Sequence, residues 1–444
     1  MKKSIYLAAF AALALASCSS DKYDIFGESA AERLEQYKKE YHDVLVADGG
    51  VWTMEYFSND EEPGYLFVMK FNSDGSVKIA ANHKWIGNAY KEETSLWKMI
   101  ADNGPVITFN SYNNLFHIFS DPANITGPNA PVNGEYDIDE TGYGHDGDYE
   151  FQVLEVSEDG NSIRLLGKKK LHHIYMRRLP ADTDIQAYMD EYKKIEQGLF
   201  SKEIPNLILK NLDGEDYMVY GCETGIMSIY PAAGDAVEQT RTANFIVTDK
   251  GIRFMDPFKI VNKNDEEIEI EEFTFNDDYS LALAGHEGAV LSAGTPQEYI
   301  YNNLRNWKID TKSFDGELKT QFDKFVTELR TLYGYKSANV NEMSFDYDQT
   351  AKSYVLRLRM RISANGYETN KFFLTFSDAD GGLKITFGEP ADNGSALGLN
   401  AYSELRKLFE MLGGSAMKCD TFSACGPKNV TLSSGNGSML ITAI

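Results

Sequence analysis

Apolar and polar residues alternate through much of the stretch from Val51 to Leu179, and this alternation constrains the fold more than any other feature of the chain. Successive side chains of a β-strand point to opposite faces of a sheet, so a period of two predicts strands with one buried face. Turn residues separate the strands, as at Asn72–Gly75, where the glycine can adopt the positive φ of a tight hairpin. The stretch predicts an antiparallel meander of about seven or eight strands, folded as a small barrel or sandwich.

Apolar residues at helical spacing interrupt the β pattern. The first such segment begins with Ser29 and Glu32, which form a capping-box pattern. The predicted helices are Ser29–Ala47, Asp184–Gln197, Asp315–Tyr333 and Ala401–Leu412. We therefore predict a mainly β fold of the α+β class, with antiparallel barrel- or sandwich-like β regions that are each preceded by a helix.

The length of the chain, 444 residues, indicates more than one domain. Aromatic residues make up 12% of the chain, which suits β-sheets with large cores. The predicted segments are a lipoprotein signal peptide (1–17), an anchor with tether and first helix (18–48), an N-terminal antiparallel β domain (49–180), a linking helix with a second β region (181–310) and a C-terminal α+β region (311–444).

The N-terminus has the pattern of an export signal. Two lysines precede the apolar segment Ile5–Leu15, which is too short to span a bilayer and is typical of a secretory signal. The segment ends in Leu-Ala-Ser-Cys, which resembles the bacterial lipobox and predicts lipidation of Cys18 with cleavage just before it. An ordinary signal peptide with a chance cysteine is the alternative.

A lipid at Cys18 predicts a protein held on a membrane surface, because two or more acyl chains anchor a protein firmly. The stretch Ser19–Asp24 is rich in serine and aspartate and resembles the surface-export signal of outer-membrane lipoproteins. We expect a lipid-anchored protein of the outer membrane that is exposed at the cell surface, with the periplasmic face as the alternative.

The chain is strongly acidic, with a formal net charge of −24 at pH 7. Such a charge disfavours nucleic acid and anionic lipid surfaces as partners, since both are themselves negatively charged. It also keeps an exported protein soluble.

Three cysteines follow Cys18. Cys419 and Cys425 lie in a loop-like stretch and could form a disulfide in an oxidising envelope, or both could remain thiols. Cys222 would then remain as a buried thiol that behaves as a small apolar residue.

Recognisable catalytic and metal-binding motifs are missing from the sequence, so we predict no catalytic residues, no metal ligands and no cofactor. The acidic segment Asp137–Asp148 fits a calcium-binding loop only loosely, and an acidic loop is the favoured interpretation. His145, His172 and His173 lie near one another in sequence, but surface or half-buried histidines are favoured over a metal site. His172 and His173 would face opposite sides of a strand.

Two groups of residues could form a ligand surface. Trp85 and Trp97 lie in a less regular stretch and could stack on sugar rings, although core positions are the favoured interpretation. Arg357, Arg359 and Arg361 form a one-sided row along a strand. That row could bind an anion, but a solvated sheet face paired with neighbouring acids is the more frequent arrangement.

Several short motifs occur in the first half of the chain, among them Trp52–Tyr56, Gly64–Phe67, Glu93–Leu96, Asp102–Val106, Gly147–Phe151 and Leu166–Lys169. Together they resemble domain-of-unknown-function family 4302, a set of lipoproteins from glycan-scavenging Gram-negative gut bacteria. The resemblance implies no assigned activity and no catalytic residues. It implies partners beside an outer-membrane import system, namely a TonB-dependent transporter and a starch-utilisation-type D lipoprotein.

These features favour a non-enzymatic surface accessory or ligand-binding component of a nutrient-import system, with a glycan or a peptide as ligand. A hydrolase of unrecognised type is one alternative. A structural or adhesive envelope protein is the other.

Overall fold

The structure, a computed structural model, describes residues 29–121, 145–199, 207–231, 242–262, 264–278, 280–302, 305–421 and 425–444. The signal peptide, the anchor at Cys18 and the stretch Ser19–Asp24 lie outside the described residues. The described strands form three antiparallel sheets that follow one another along the chain, and the predicted mainly β class is confirmed. In the part of the chain that the structure describes, every helix is too short or too polar to cross a lipid bilayer.

The first unit contains helix α1 (Ala30–Val46), and the predicted capping box begins it. The Glu32 N–H donates to Ser29 Oγ over 3.2 Å, and the Ser29 N–H donates to the Glu32 carboxylate over 2.8 Å. The strands of this unit are β1 (Val51–Tyr56), β2 (Tyr65–Phe71), β3 (Ser76–Ala81), β4 (Lys91–Leu96), β5 (Lys98–Ala101), β6 (Pro105–Thr108), β7 (Glu150–Val156), β8 (Ser162–Gly167) and β9 (His173–Arg178).

The first sheet is a half-barrel whose two edge strands meet only where the chain passes from one to the other. Its strand order is β4-β3-β2-β1-β9-β8-β7-β6-β5, so β4 and β5 are the edge strands. They are successive segments of the chain, separated only by Trp97. The Leu96 N–H donates to Ser111 Oγ over 2.6 Å, and Glu93 accepts from Asn114, so the segment after β6 covers the outer side of β4. Phenylalanines and other apolar side chains fill the interior, and α1 packs against this core.

The second unit is a closed barrel in which β10 pairs with β17. The six strands from β11 to β16 each pair with both of their neighbours in sequence. Helix α2 (Ile185–Leu199) precedes the barrel, in agreement with the predicted linking helix. The strands are β10 (Leu207–Leu212), β11 (Glu215–Tyr220), β12 (Ile226–Pro231), β13 (Thr242–Val247), β14 (Gly251–Val261), β15 (Glu267–Phe275), β16 (Leu281–Leu283) and β17 (Val290–Ala293).

The third unit repeats the meander with helices inserted into it. Its strand order is β22-β21-β20-β19-β18-β25-β24-β23. Its elements are α3 (Glu298–Tyr301), β18 (Trp307–Asp310), α4 (Gly316–Tyr333), β19 (Asn339–Asp348), β20 (Ser353–Arg361), β21 (Tyr367–Ala379), β22 (Gly382–Pro390), α5 (Asn393–Ala401), α6 (Ser403–Gly414), β23 (Lys418–Asp420), β24 (Asn429–Ser434) and β25 (Gly437–Ala443).

The two edges of the third sheet also meet. Leu383 at the start of β22 and Met417 just before β23 form a bridge with two backbone hydrogen bonds of 2.8 Å each. Helices α4 and α6 pack together, and α6 lies against β22. The segment Trp307–Asp310 was predicted to end the second β region, but it pairs with β19 and β25, because the buried side chains of Trp307 and Ile309 belong to the third core.

The disulfide differs from the predicted one. Cys425 is bonded to Cys222, with their Cα atoms 6.2 Å apart, and Cys419 is a buried free thiol. Two hydrophobic cores explain the pairing: Cys419 lies on β23 in the core of the third unit, whereas Cys425 packs into the core of the second. Burial raises the pKa of the Cys419 thiol to about 12, so the thiol stays protonated and unreactive at neutral pH. The disulfide therefore joins the second unit to the third.

Candidate ligand-binding cleft between the first two units

The first two units pack together through a separate apolar cluster. Val51 and Val68 on the outside of the first sheet meet Met189 and Tyr192 of α2, and Ile246 of the second barrel completes the cluster. The β1–β2 loop comes so close to the barrel that a Cβ at position 64 would lie 2.6 Å from the Ile246 Cβ, which explains the glycine there. This packing fixes the walls of a cleft between the two units.

The cleft has a volume of about 660 Å³ and opens between β8 and β9 on one side and β14 and β15 on the other. A volume of this size is typical of a small-molecule site. The side chains that line it are mixed in character, with charged, hydroxyl-bearing and aromatic groups. They include Glu55, Glu155, Ser157, Ser162, Arg164, Tyr175, Arg177, Thr248, Lys250, Arg253, Glu271, Glu272, Thr274 and Phe275.

Arg253 of β14 is the central charged group of the cleft. Its Nε lies 2.8 Å from Oε2 of Glu55 across the unit boundary, and its Nη2 lies 2.8 Å from Oε2 of Glu272 on the neighbouring strand. The guanidinium also lies over the ring of Tyr175, 4.5 Å from the ring centroid. One arginine thus binds two carboxylates and one aromatic ring, and two of these three partners come from the first unit.

Glu55 is the most perturbed acid in the cleft. Burial raises the pKa of its carboxyl group to about 7, although the charge of Arg253 opposes this shift. The side chain of Glu55 is only 9% exposed, whereas that of Glu272 is 35% exposed. A carboxyl group that exchanges its proton near neutral pH at the base of a cleft is a frequent feature of functional sites.

A second ion pair crosses the boundary beside the first. Arg177 of β9 pairs with Asp249 in the β13–β14 turn, and the same guanidinium contacts the hydroxyl of Tyr188. At the rim, Arg164 and Glu155 form an exposed pair with 3.1 Å between Nη2 and Oε2. Each arginine that lines the cleft therefore already has a carboxylate partner.

A separate buried polar cluster lies in the first unit. The Glu62 carboxylate accepts from Tyr65 (2.5 Å) and from Trp85 (3.0 Å), and its other oxygen lies 2.8 Å from Nδ1 of His145. Burial alone would raise the pKa of Glu62, but these hydrogen bonds outweigh it and the pKa is lowered. His145 is 6% exposed, and its Nε2 has no hydrogen-bond partner among the described residues. The sequence interpretation of His145 as a surface or half-buried residue is wrong, because Trp85 and Phe119 pack against its ring.

The predicted ligand surface is not assembled as one site. Trp97 is 3% exposed and packs between His42 and Phe71, so it belongs to the core. Trp85 is partly buried by its contact with His145, and it does not line the cleft.

The arginine row lies on β20 in the third unit, and each arginine has a local partner. Arg357 pairs with Glu342 over 3.0 Å, Arg359 lies over the ring of Tyr367, and Arg361 donates to the carbonyl oxygen of Ala364 over 2.8 Å. For Arg357 this is the expected pairing of a sheet-face arginine with an acid on the adjacent strand.

Within the described residues, no group of three His, Cys, Asp or Glu side chains is arranged to hold a metal ion. Most of the acidic segment Asp137–Asp148 lies outside the described residues. Its last carboxylate, on Asp148, accepts the backbone N–H groups of Lys169 and Lys170 over 2.9 and 2.8 Å. Nε2 of His172 lies 3.2 Å from Oδ1 of Asp60, and in the part of the chain that the structure describes no third potential metal ligand joins this pair.

The residues that define the cleft were not found by sequence reasoning. Glu55 occupies a strand of alternating apolar residues, and its only signal was a charged residue between Met54 and Tyr56. Arg253 stands in a similar position within β14. Nothing in either strand indicates that they meet, because the contact depends on how two separately folded units pack.

The fold and the cleft define a protein of tandem antiparallel β units, joined by helix α2 and by a disulfide, with a polar cleft between the first two units. Residues 22–277 match the family model described as "Domain of unknown function (DUF4302)", and the chain belongs to this family. The match covers more than half of the chain, including the first unit and most of the second barrel, and it confirms the resemblance found in the sequence. No curated protein matches the chain.

Two solved structures show a distant similarity. Kievitone hydratase from Nectria haematococca is 10% identical, with 89% of each chain covered and a TM-score of 0.14. The DNA polymerase sliding clamp from Bacillus subtilis is 10% identical, with 92% of this chain and 97% of that chain covered and a TM-score of 0.11. Similarity at this level supports no conclusion about fold or function.

Proposed function

We propose that the protein is a lipid-anchored envelope protein that acts as a non-enzymatic, ligand-binding accessory of a nutrient-import system at the outer membrane. The observation that supports this proposal is the cleft of about 660 Å³ between the first two units. Its polar side chains can orient a ligand. Because the apolar cluster shared by the two units fixes the walls of the cleft, few protein groups lose conformational freedom when a ligand binds.

The binding role is tested by filling the cleft. Thr274 is an exposed residue of the cleft wall, and the substitution Thr274→Trp places a large ring in the space that a ligand would occupy. We expect the full chain to retain components of a mixture of oligosaccharides and tryptic peptides, detected by mass spectrometry, and Thr274→Trp to lose this retention. Thr350→Trp, in an exposed turn of the third unit, is the matched control and should retain them. Equal retention by both variants would refute a binding role for the cleft.

The anchor is tested separately. Cys18→Ala removes the thiol that would carry the lipid, and we expect this variant to move from the membrane fraction to the soluble fraction of fractionated cells. Residues beyond the anchor are unchanged, so the cleft should still bind its ligand in the released protein. Continued fractionation of Cys18→Ala with membranes would contradict lipid anchoring.

One observation favours a hydrolase as the second candidate. Glu55 and Glu272 contact the same guanidinium in a cleft, and burial holds the pKa of Glu55 near neutrality. Paired carboxyl groups with different environments can act as acid and base in glycoside hydrolysis. Incubation of the full chain with oligosaccharides tests this second candidate. Product formation that both Glu55→Gln and Glu272→Gln abolish would establish a hydrolase. Intact oligosaccharides after prolonged incubation would exclude hydrolysis of the sugars used.

A further inference from the structure

The arrangement of the sheets disfavours an extended peptide as the ligand of the cleft. Peptides are commonly captured as an added strand at an open sheet edge. Among the described strands, β10 and β17 close the second barrel, and β22 and β23 are bridged at Leu383 and Met417. In the first sheet, the segment after β6 covers the edge strand β4, and α1 packs against the edge strand β5. The cleft itself is formed by side chains of paired strands, so it offers no row of free backbone groups to a peptide.

The charges of the cleft disfavour an anionic ligand. Arg253 holds Glu55 and Glu272, Arg177 holds Asp249, and Arg164 holds Glu155. Lys250 lies 3.8 Å from Asp249. An anion would have to displace a carboxylate from its arginine, and the surrounding chain, with a net charge of −24, would repel it.

The remaining groups suit a ligand with many hydroxyls and no charge. The exposed hydroxyls of Ser162 and Thr274 can each donate and accept a hydrogen bond. Those of Ser157 and Thr248 are already engaged within their own turns. Paired carboxylates and guanidinium groups keep free lone pairs and N–H groups for ligand hydroxyls. Tyr175 is partly exposed, and the part of its ring that Arg253 leaves uncovered can pack against an apolar sugar face.

We infer that the cleft binds a neutral oligosaccharide, recognised by this polar lining and by the ring of Tyr175. The inference rests on the proposed binding role of the cleft and narrows its ligand from glycan or peptide to an uncharged glycan.

Calorimetric titration of the full chain tests the inference with defined probes. The neutral probes are hexasaccharides of glucose, mannose and xylose, the acidic probe is hexagalacturonate, and the peptide probe is a tryptic digest. We expect at least one neutral hexasaccharide to bind and Tyr175→Ala to weaken that binding by about tenfold or more, since an aromatic contact in a site commonly contributes this much.

The third unit provides a matched control for the ring. Arg359 lies over Tyr367 at 4.5 Å, the same distance as Arg253 over Tyr175, so Tyr367→Ala removes an equivalent arginine-stacked tyrosine outside the cleft. We expect Tyr367→Ala to leave affinity unchanged. Tyr175→Phe keeps the ring and should retain most of the affinity. Retained binding in this variant would show that Tyr175→Ala weakens binding because the ring is lost, and that a substitution at this position does not itself unfold the protein.

The outcomes distinguish the ligand class from the binding role. Binding of hexagalacturonate or peptides that is lost in Thr274→Trp would overturn the inference and leave the binding role intact. Absence of binding to every neutral hexasaccharide at millimolar concentration would also overturn it, as would equal affinities in Tyr175→Ala and the unaltered chain.

Discussion

Replacement of both Cys222 and Cys425 by serine is expected to lower the free energy of unfolding by about 3–5 kcal/mol. The disulfide closes a loop with a sequence separation of 203, and a cross-link over such a distance restricts the unfolded chain strongly. Chemical denaturation followed by tryptophan fluorescence would report the loss, because Trp307 is buried in the third core. Addition of a reductant to the unaltered protein should reproduce the same shift.

Cys419→Ala is the control for this measurement. Cys419 is buried but unbonded, so its loss removes one small side chain from the third core and should cost only about 1 kcal/mol. Equal destabilisation by Cys419→Ala and by the double substitution would contradict the assigned pairing. A reductant-sensitive disulfide between Cys419 and Cys425, detected by peptide mapping, would contradict it directly.

Glu55→Gln is expected to increase stability at pH 8 by up to about 3 kcal/mol and to change it little at pH 4. The pKa of Glu55 rises from its usual 4.5 to about 7 on folding, so the folded state binds the proton more tightly than the unfolded state. Its contribution is therefore fully favourable below about pH 4.5 and is lost as the pH rises towards 7. Glutamine keeps the shape of the neutral acid and carries no charge to bury.

Glu272→Gln is the matched control for Glu55→Gln. It removes the other carboxylate partner of Arg253, but its side chain is 35% exposed, so the effect on stability should stay below about 1 kcal/mol at both pH values. Thermal unfolding of the unaltered protein, of Glu55→Gln and of Glu272→Gln at pH 4 and pH 8 compares their stabilities. If Glu55→Gln destabilised the protein equally at both pH values, the buried carboxylate would be a net stabilising ion-pair partner, contrary to our expectation.

Local patterns in the sequence predicted the elements of the fold well. The capping box at Ser29 and Glu32 and the hairpin at Asn72–Gly75 are present as predicted, since each depends on a few adjacent residues. Alternation along β20 also predicted its buried face, because residues such as Leu356 and Leu358 must share one side of the strand. The short helix α5 was missed, since its residues include glycine, asparagine and serine, which are weak helix formers.

Contacts between distant segments were not predictable from these patterns. The sequence suggested Cys419 as a possible disulfide partner of Cys425, yet Cys425 is bonded to Cys222 in another unit. The ion pair of Glu55 and Arg253 depends on the packing of two units, and His145 became a buried residue only through the approach of Glu62 and Trp85. In each case the deciding partner lies far along the chain, where periodicity and spacing carry no information.

The meander topology also lets each unit fold from its own segment of the chain. Strands pair with sequence neighbours, except where the sheet edges fall between β4 and β5 and between β22 and β23, and the last strand of each unit pairs with the first. Each unit can therefore complete its own sheet without the other two, and few contacts must wait for distant parts of the chain. The bond between Cys222 and Cys425 is the exception, because the two cysteines have a sequence separation of 203 and belong to different units. Oxidation then follows the folding of the second barrel and locks an arrangement that has already formed.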